Sequence, residues 1–159
     1  HALGLSLTDI KQGLESMKAI SGRSVVHECA NHIQLIDDSY NANPASIRAA
    51  IDVLQTMPGQ RVLVLGDMGE LGAWAQQEHA DIGSYANGKV DALFVVGPLM
   101  QHAVTQYCGV SGHFSEQNSL IEALLTQVSG PATLLIKGSR GAAMEKVVDA
   151  LRTRLGDAF

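Results

Sequence analysis

Residues 35–54 read LIDDSYNANPASIRAAIDVL. Leu35 and Ile36 close an apolar run that begins at Ile33. Two acids follow, Asp37 and Asp38, then the hydrogen-bonding side chains of Ser39, Tyr40 and Asn41. Asn43 and Pro44 pair a favoured N-cap residue with a proline at the first helical position. From there Ile47, Ala50, Ile51 and Leu54 recur on one helical face. The stretch therefore reads as a buried strand, a polar turn and an amphipathic helix.

That unit repeats along the chain. Arg61–Leu65 (RVLVL), Ala92–Val96 (ALFVV) and Thr133–Ile136 (TLLI) are short runs apolar on both faces. Helical spacing predicts helices over Gln76–Ala86, Leu99–Tyr107, Ser119–Val128 and Ala142–Leu155, the last with Met144, Val147, Val148, Leu151 and Leu155 in one stripe. Near the start, Val25-Val26 and Ile33–Ile36 are extended runs that Asn31-His32 can join as a hairpin. Strands buried on both faces and alternating with helices imply a parallel sheet covered on both sides. The expected fold over residues 22–159 is thus α/β and Rossmann-like, a mostly parallel sheet with helices on both faces and an antiparallel strand at one edge. Leu7, Ile10, Leu14 and Met17 also have helical spacing, with Thr8 as N-cap. Residues 1–21 are therefore expected to form a short N-terminal helical segment leading into a linker, KAISGRS at Lys18–Ser24.

The chain has 159 residues, 46% of them apolar, and a net charge of −5 with both signs spread along it. This length buries roughly 70% of the unfolded surface, so no disulfide or metal staple is required. Disorder is excluded, and no basic run points to nucleic acid. Cys29 and Cys108 have no ligand-like spacing and are expected to be reduced thiols of a cytosolic protein. No apolar run approaches the ~20 residues of a membrane span. The chain starts at His1 without a signal peptide, which suggests a piece of a longer protein.

Sheets of this kind bind ligands beyond the carboxyl ends of their strands. Three loops stand there: Asp37–Pro44, Gly66–Gly72 and Lys137–Gly141. In the first, Asp38 could accept a ribose hydroxyl and Tyr40 could lie against a base, with Ser39 and Asn41 beside them. The alternative is a solvated loop with an Asx-turn. There is no GxxxxGK followed by Ser or Thr and no GxGxxG, and Gly88-Lys89 runs into Val90. Any nucleotide here would have its phosphates gripped elsewhere. The second loop sets Asp67 and Glu70 after a buried strand, with His79 downstream. These could bind a metal or an ammonium group. Equally, an acid could cap the next segment while His79 holds the loop by a hydrogen bond. In the third, Ser139 is expected to cap the following helix, whose free N–H groups make an anion site. Arg140 adds a planar fork and Lys137 a point charge, suited to a carboxylate or a phosphate; the alternative is a solvated basic cap. His1, His27, His32, His102 and His113 share no spacing. Trp74 is expected to pack over the acidic loop.

Taken together, IDDSYNANP at 36–44, LGDMGELG at 65–72 and KGSR at 137–140 resemble, in order and spacing, the C-terminal domain of the Mur ligases. The resemblance spans the chain and is strongest to the members that add D-Ala-D-Ala. Asn41 stands where related folate polyglutamate ligases carry a histidine, with one extra residue before Pro44. The resemblance implies an ATP-dependent amide-bond ligase of cytoplasmic peptidoglycan synthesis. Its substrates would be ATP with Mg2+, UDP-N-acetylmuramoyl-tripeptide and D-Ala-D-Ala, the tripeptide carboxylate being activated as an acyl phosphate. It implies preceding N-terminal and central domains in the same polypeptide, the central one holding the phosphate grip and metal ligands. Residues 1–21 would be the tail of that central domain, with a hinge near Gly22. It further implies that Asp38, Tyr40 and Asn41 contact the ATP ribose and base. Lys137, Ser139 and Arg140 would hold the dipeptide carboxylate, with Asp67 and Glu70 nearby, and neither a catalytic residue nor a metal ligand would lie in this chain. The competing reading is a Rossmann-type binding or interaction module without a catalytic role; neither reading involves nucleic acid or membrane insertion.

Overall fold

Strands that are apolar at every position must be covered on both sides, and the computed structural model shows how this is done. It describes residues 21–156 together with Ser6, Thr8 and Lys11. Of the helix expected over Thr8–Met17, all but Thr8 and Lys11 lies outside the described residues. The elements run β1 Val25–Cys29, β2 Ile33–Asp38, α1 Pro44–Gln55, β3 Gln60–Gly66, α2 Ala75–Ala86, β4 Ala92–Val96, α3 Gln101–Gln106, β5 Val110–Phe114, α4 Gln117–Gln127, β6 Ala132–Lys137 and α5 Glu145–Leu155. They build one six-stranded sheet in the order β1-β2-β6-β3-β4-β5. Only β1 is antiparallel; every other pairing is parallel.

The two-residue period of a strand divides the core in two. Val62 and Val64 of β3 pack with Leu120, Leu124, Val147 and Leu151 of α4 and α5. Leu63 and Leu65 face the other way, onto Ile47, Ile51, Ile82 and Ala103 of α1, α2 and α3. Each such side chain contributes about 1.5–3 kcal/mol when fully buried. The central strand β6 is buried along its whole length. Its last residue, Lys137, registers against Asp38 on one side and Leu65 on the other. The three loops singled out in the sequence therefore leave the sheet at one rim.

Local signals account for much of this. Asn43 Oδ1 accepts the Ser46 N–H at 2.8 Å, and the Asn43 N–H donates to Ser46 Oγ at 3.1 Å. This capping box starts α1 with Pro44 in its first turn. Asn31 and His32 take left-handed conformations, φ 60° and 59°, in the turn between β1 and β2. Three expectations need correction. Strand β5 was not foreseen: Val110, Ser111 and His113 are exposed, so no apolar run announces it. It forms because β4 offers an unpaired edge. Helix α5 begins at Glu145, not Ala142, because Ala143 is left-handed (φ 49°) and separates the helix from a short turn at Arg140–Ala142. Ser139 therefore does not cap α5. Trp74 is 71% exposed and does not bury its ring over the acidic loop.

Helices α2 and α3 meet backbone to backbone at Gly83, where an added Cβ would lie 1.9 Å from the Ala103 carbonyl oxygen. Gly83→Ala should destabilise the domain by about 1–3 kcal/mol or more, as overpacking does, which thermal unfolding measures. On the surface, Arg61 Nη2 and Nε donate to Asp91 at 2.7 and 2.9 Å, and the Arg61 N–H adds a third bond at 2.8 Å. The Arg61 guanidinium holds the Asp91 carboxyl below its ordinary pKa, against an opposing effect of partial burial. Stability from this pair is thus present above the unfolded carboxylate pKa of about 3.9 and is lost as pH falls through the lower folded value. Asp91→Asn should cost under about 1 kcal/mol at pH 7, given the exposure of the pair. It should also flatten the fall in Tm below about pH 4, as a pH series of melts would show.

Candidate functional site

A lysine at the end of a buried strand must find partners or lose its charge. Lys137 is 4% exposed, and its Nζ donates to Asp38 Oδ2 at 2.6 Å and to the Asn41 carbonyl at 2.8 Å. Asp38 Oδ1 accepts the Ser24 N–H and hydroxyl at 3.1 and 3.3 Å. Beside it, the buried Asp37 is satisfied from three directions. It accepts the Ser39 hydroxyl at 2.5 Å, the Ser39 N–H at 3.1 Å and the Gly22 N–H at 3.2 Å. Gly22 returns a carbonyl to the Tyr40 N–H at 2.9 Å. It sits at φ +76°, and a Cβ there would meet the Tyr40 nitrogen at 3.0 Å, so glycine is required. The Arg23 guanidinium lies 4.3 Å from the centre of the half-exposed Tyr40 ring, a cation–π contact. The chain entering the domain is thus strapped onto the loop that follows β2.

Two hollows open along this rim. The first, of about 420 Å³, is lined by Arg23, Ser24, Asp38, Tyr40, Asn41 and Lys137 among others. The second, of about 480 Å³, is lined by Asn41, Asn43, Glu70, Leu71, Ser139 and Arg140 among others. Asn41 and Asn43 belong to both walls. Arg140 is largely exposed and only loosely paired, 3.6 Å from Glu145. Glu70 is exposed in a left-handed conformation, φ 60°, with no hydrogen bond or ion pair to any described residue.

The structure therefore gathers Asp38, Tyr40, Asn41 and Lys137 around one hollow. It gathers Glu70, Ser139 and Arg140 around its neighbour. Lys137 stands with Asp38 rather than with Arg140, because the strand register places its ammonium beside that carboxylate. Asp67 lines neither hollow. Its carboxylate accepts the Leu99 and Met100 N–H groups at 3.2 and 2.9 Å, and its carbonyl accepts the Ser139 N–H at 3.0 Å. It ties three loops together. His79 is fully buried: Nε2 accepts the Met68 N–H at 3.0 Å, so Nδ1 carries the proton and donates to the Ala75 carbonyl at 2.6 Å. Among the described residues no group of three His, Cys, Asp or Glu is placed to hold a metal ion. Arg23 and Ser24 were missed as rim residues, since a linker sequence carries no sign of where it folds back; the only signal is the glycine before them. Gln117 was missed too. Its Nε2 donates to the Ala142 and Ala143 carbonyls at 2.7 and 3.2 Å, which steadies the turn that carries Arg140.

Comparison with known proteins places this arrangement. Residues 22–140 match the family model described as Mur ligase, glutamate ligase domain. The chain is 44% identical over 154 residues to the UDP-N-acetylmuramoyl-tripeptide--D-alanyl-D-alanine ligase of Escherichia coli (strain K12), covering 95% of this chain and 34% of that protein. A crystal structure of MurF from Acinetobacter baumannii superposes with a TM-score of 0.84 at 37% identity, over 96% of this chain and 34% of that one. The MurF ligase from Thermotoga maritima, crystallised in complex with ADP, superposes with a TM-score of 0.82 at 26% identity, over 97% of this chain and 35% of that one. The chain spans about a third of the length of the curated relatives it matches. With three-quarters of its length inside that family model, and with the α/β architecture of the structures it superposes on, the chain belongs to the Mur ligase family, as its glutamate ligase domain.

Proposed function

We propose that the chain is the C-terminal domain of an ATP-dependent ligase that joins D-Ala-D-Ala to UDP-N-acetylmuramoyl-tripeptide through an acyl phosphate. Its part is to cover ATP and to position the dipeptide. The observation that carries this reading is the pair of adjoining hollows on one rim, unlike in chemistry and sharing Asn41 and Asn43. The relatives named for this ligation, and the ADP complex of one structural neighbour, support it.

In this reading the first hollow receives the nucleoside end of ATP. Asp38 and Asn41 offer hydrogen-bonding groups to the ribose, and Tyr40 offers a half-exposed ring to the base. The triphosphate does not fit there, because the buried ammonium of Lys137 is already neutralised by Asp38. The phosphate grip and Mg2+ are therefore assigned to the central domain of the full-length polypeptide, and recognition of the UDP-sugar to its N-terminal domain. Lys137 acts as the strut that positions Asp38 and Asn41. The second hollow receives D-Ala-D-Ala, with its carboxylate on Arg140 and Ser139 and with Glu70 alongside. Residues 1–21 belong to the central domain and linker, and Gly22 lies at the hinge. An acyl phosphate survives only where water is kept out, and an amine attacks it fast only when held in line. A hinged domain that closes with both ligands aboard meets both needs. The reaction belongs in the cytoplasm, and no helix among the described residues is long and apolar enough to cross a membrane.

The test is ligation by the full-length protein with UDP-muramoyl-tripeptide, ATP, Mg2+ and D-Ala-D-Ala. Dipeptide-dependent release of phosphate is expected there and none from the 159 residues alone. Its absence from the full-length protein would leave a binding module without a catalytic role. In the active protein, Arg140→Ala should raise the apparent KM for the dipeptide roughly tenfold to a hundredfold, as loss of a charged hydrogen bond does, with little change for ATP. Tyr40→Ala, which removes a half-exposed ring that lines only the first hollow, should do the reverse; an effect confined to the dipeptide would exchange the roles of the two hollows.

A further inference from the structure

The second hollow has two charged groups with work still to do. Arg140, on the turn after β6, is 72% exposed at its side chain and loosely paired. Glu70, on the loop after β3, has no internal partner among the described residues and sits at φ 60°. A left-handed conformation is strained for a residue with a side chain and natural for glycine. Gly69 and Gly72 flank it, so the loop is already glycine-rich. A glutamate at such a position does not serve the backbone. The acid contributes nothing visible to the loop's own hydrogen bonding either: the turn is held by Asp67, His79 and the Ser139 N–H. Strained side chains kept without a structural role gather at ligand sites.

We infer that Glu70 receives the ammonium group of a zwitterionic dipeptide whose carboxylate rests on Arg140, so that the second hollow reads both ends of its ligand. This rests on the proposed function of that hollow. A carboxylate and a guanidinium lining one cavity of about 480 Å³ suit a short peptide with opposite charges at its ends. Asn43 Oδ1 is engaged by Ser46, while its amide N–H2 lacks a partner among the described residues. It is left as a donor for the peptide carbonyl between the two charges. The arrangement sets specificity by length and charge: a ligand missing its ammonium leaves Glu70 unpaired, and one missing its carboxylate leaves Arg140 unpaired.

The experiment uses the full-length protein, D-Ala-D-Ala as substrate, and N-propionyl-D-alanine as a competitor that keeps the carboxylate and lacks the amine. The wild type should show a Ki for the competitor at least about tenfold above the KM for the dipeptide, the scale of one charged hydrogen bond. Glu70→Gln should raise the dipeptide KM, leave the competitor's Ki unchanged and shrink that ratio to about threefold or less. Arg140→Ala should raise both constants together. Glu70→Gly serves as the structural control: its Tm should not fall, while its selectivity should be lost as in Glu70→Gln. An unchanged ratio in Glu70→Gln, an equal rise in both constants, or a clear fall in Tm in Glu70→Gly overturns the inference while leaving the proposed ligation standing. Absence of dipeptide turnover by the wild type overturns the ligation itself, and this inference with it.

Discussion

The rim of this domain depends on one buried ammonium. Lys137 ends the central strand, in a position closed to water, and its charge is tolerable only because Asp38 and the Asn41 carbonyl come to meet it. That requirement joins β2 to β6 at the level of their loops as well as their ladders. It also fixes the course of the chain from Asp38 to Asn41, and so the wall between the two hollows. Breaking such a pair from one side leaves a charge without compensation, which costs far more than the pair contributes when intact. The rim is consequently an assembled unit and not a set of independent loops.

A second layer of order comes from Asp37, which faces the opposite way. Its carboxylate gathers Gly22, Ser39 and, through Gly22, the Tyr40 backbone. Both neighbouring acids fasten the incoming chain, Asp37 at Gly22 and Asp38 at Ser24, and Asp38 also lines the open hollow with its charge balanced by Lys137. Beneath them the two cores on either face of the sheet supply the rigidity that lets exposed loops keep their shape.

The alternation of doubly apolar strands with striped helices was enough to read the sheet, its parallel sense and the rim from which the three polar loops leave. The Asn43-Pro44 signal located the start of α1 because capping is local chemistry. Strand β5 escaped because its membership is decided by an edge of β4, far away in sequence, and its own residues carry no pattern. The start of α5 escaped because a single left-handed alanine, Ala143, is invisible in composition. Among candidate site residues, Asp38, Tyr40, Asn41, Glu70, Ser139 and Arg140 were each legible as polar groups placed at or just after the ends of buried strands. Which of them face one another was not legible, since strand register puts Lys137 beside Asp38 and the Leu99 and Met100 N–H groups draw Asp67 inward.

Asn41 carries the last consequence. Its carbonyl is gripped by Lys137, and its residue lines both hollows. Any occupant that shifts it on one side reshapes the other side by the same motion, and thermodynamic linkage makes the influence mutual. On the proposed function, a single asparagine thus couples two unlike guests, and with equal strength in both directions.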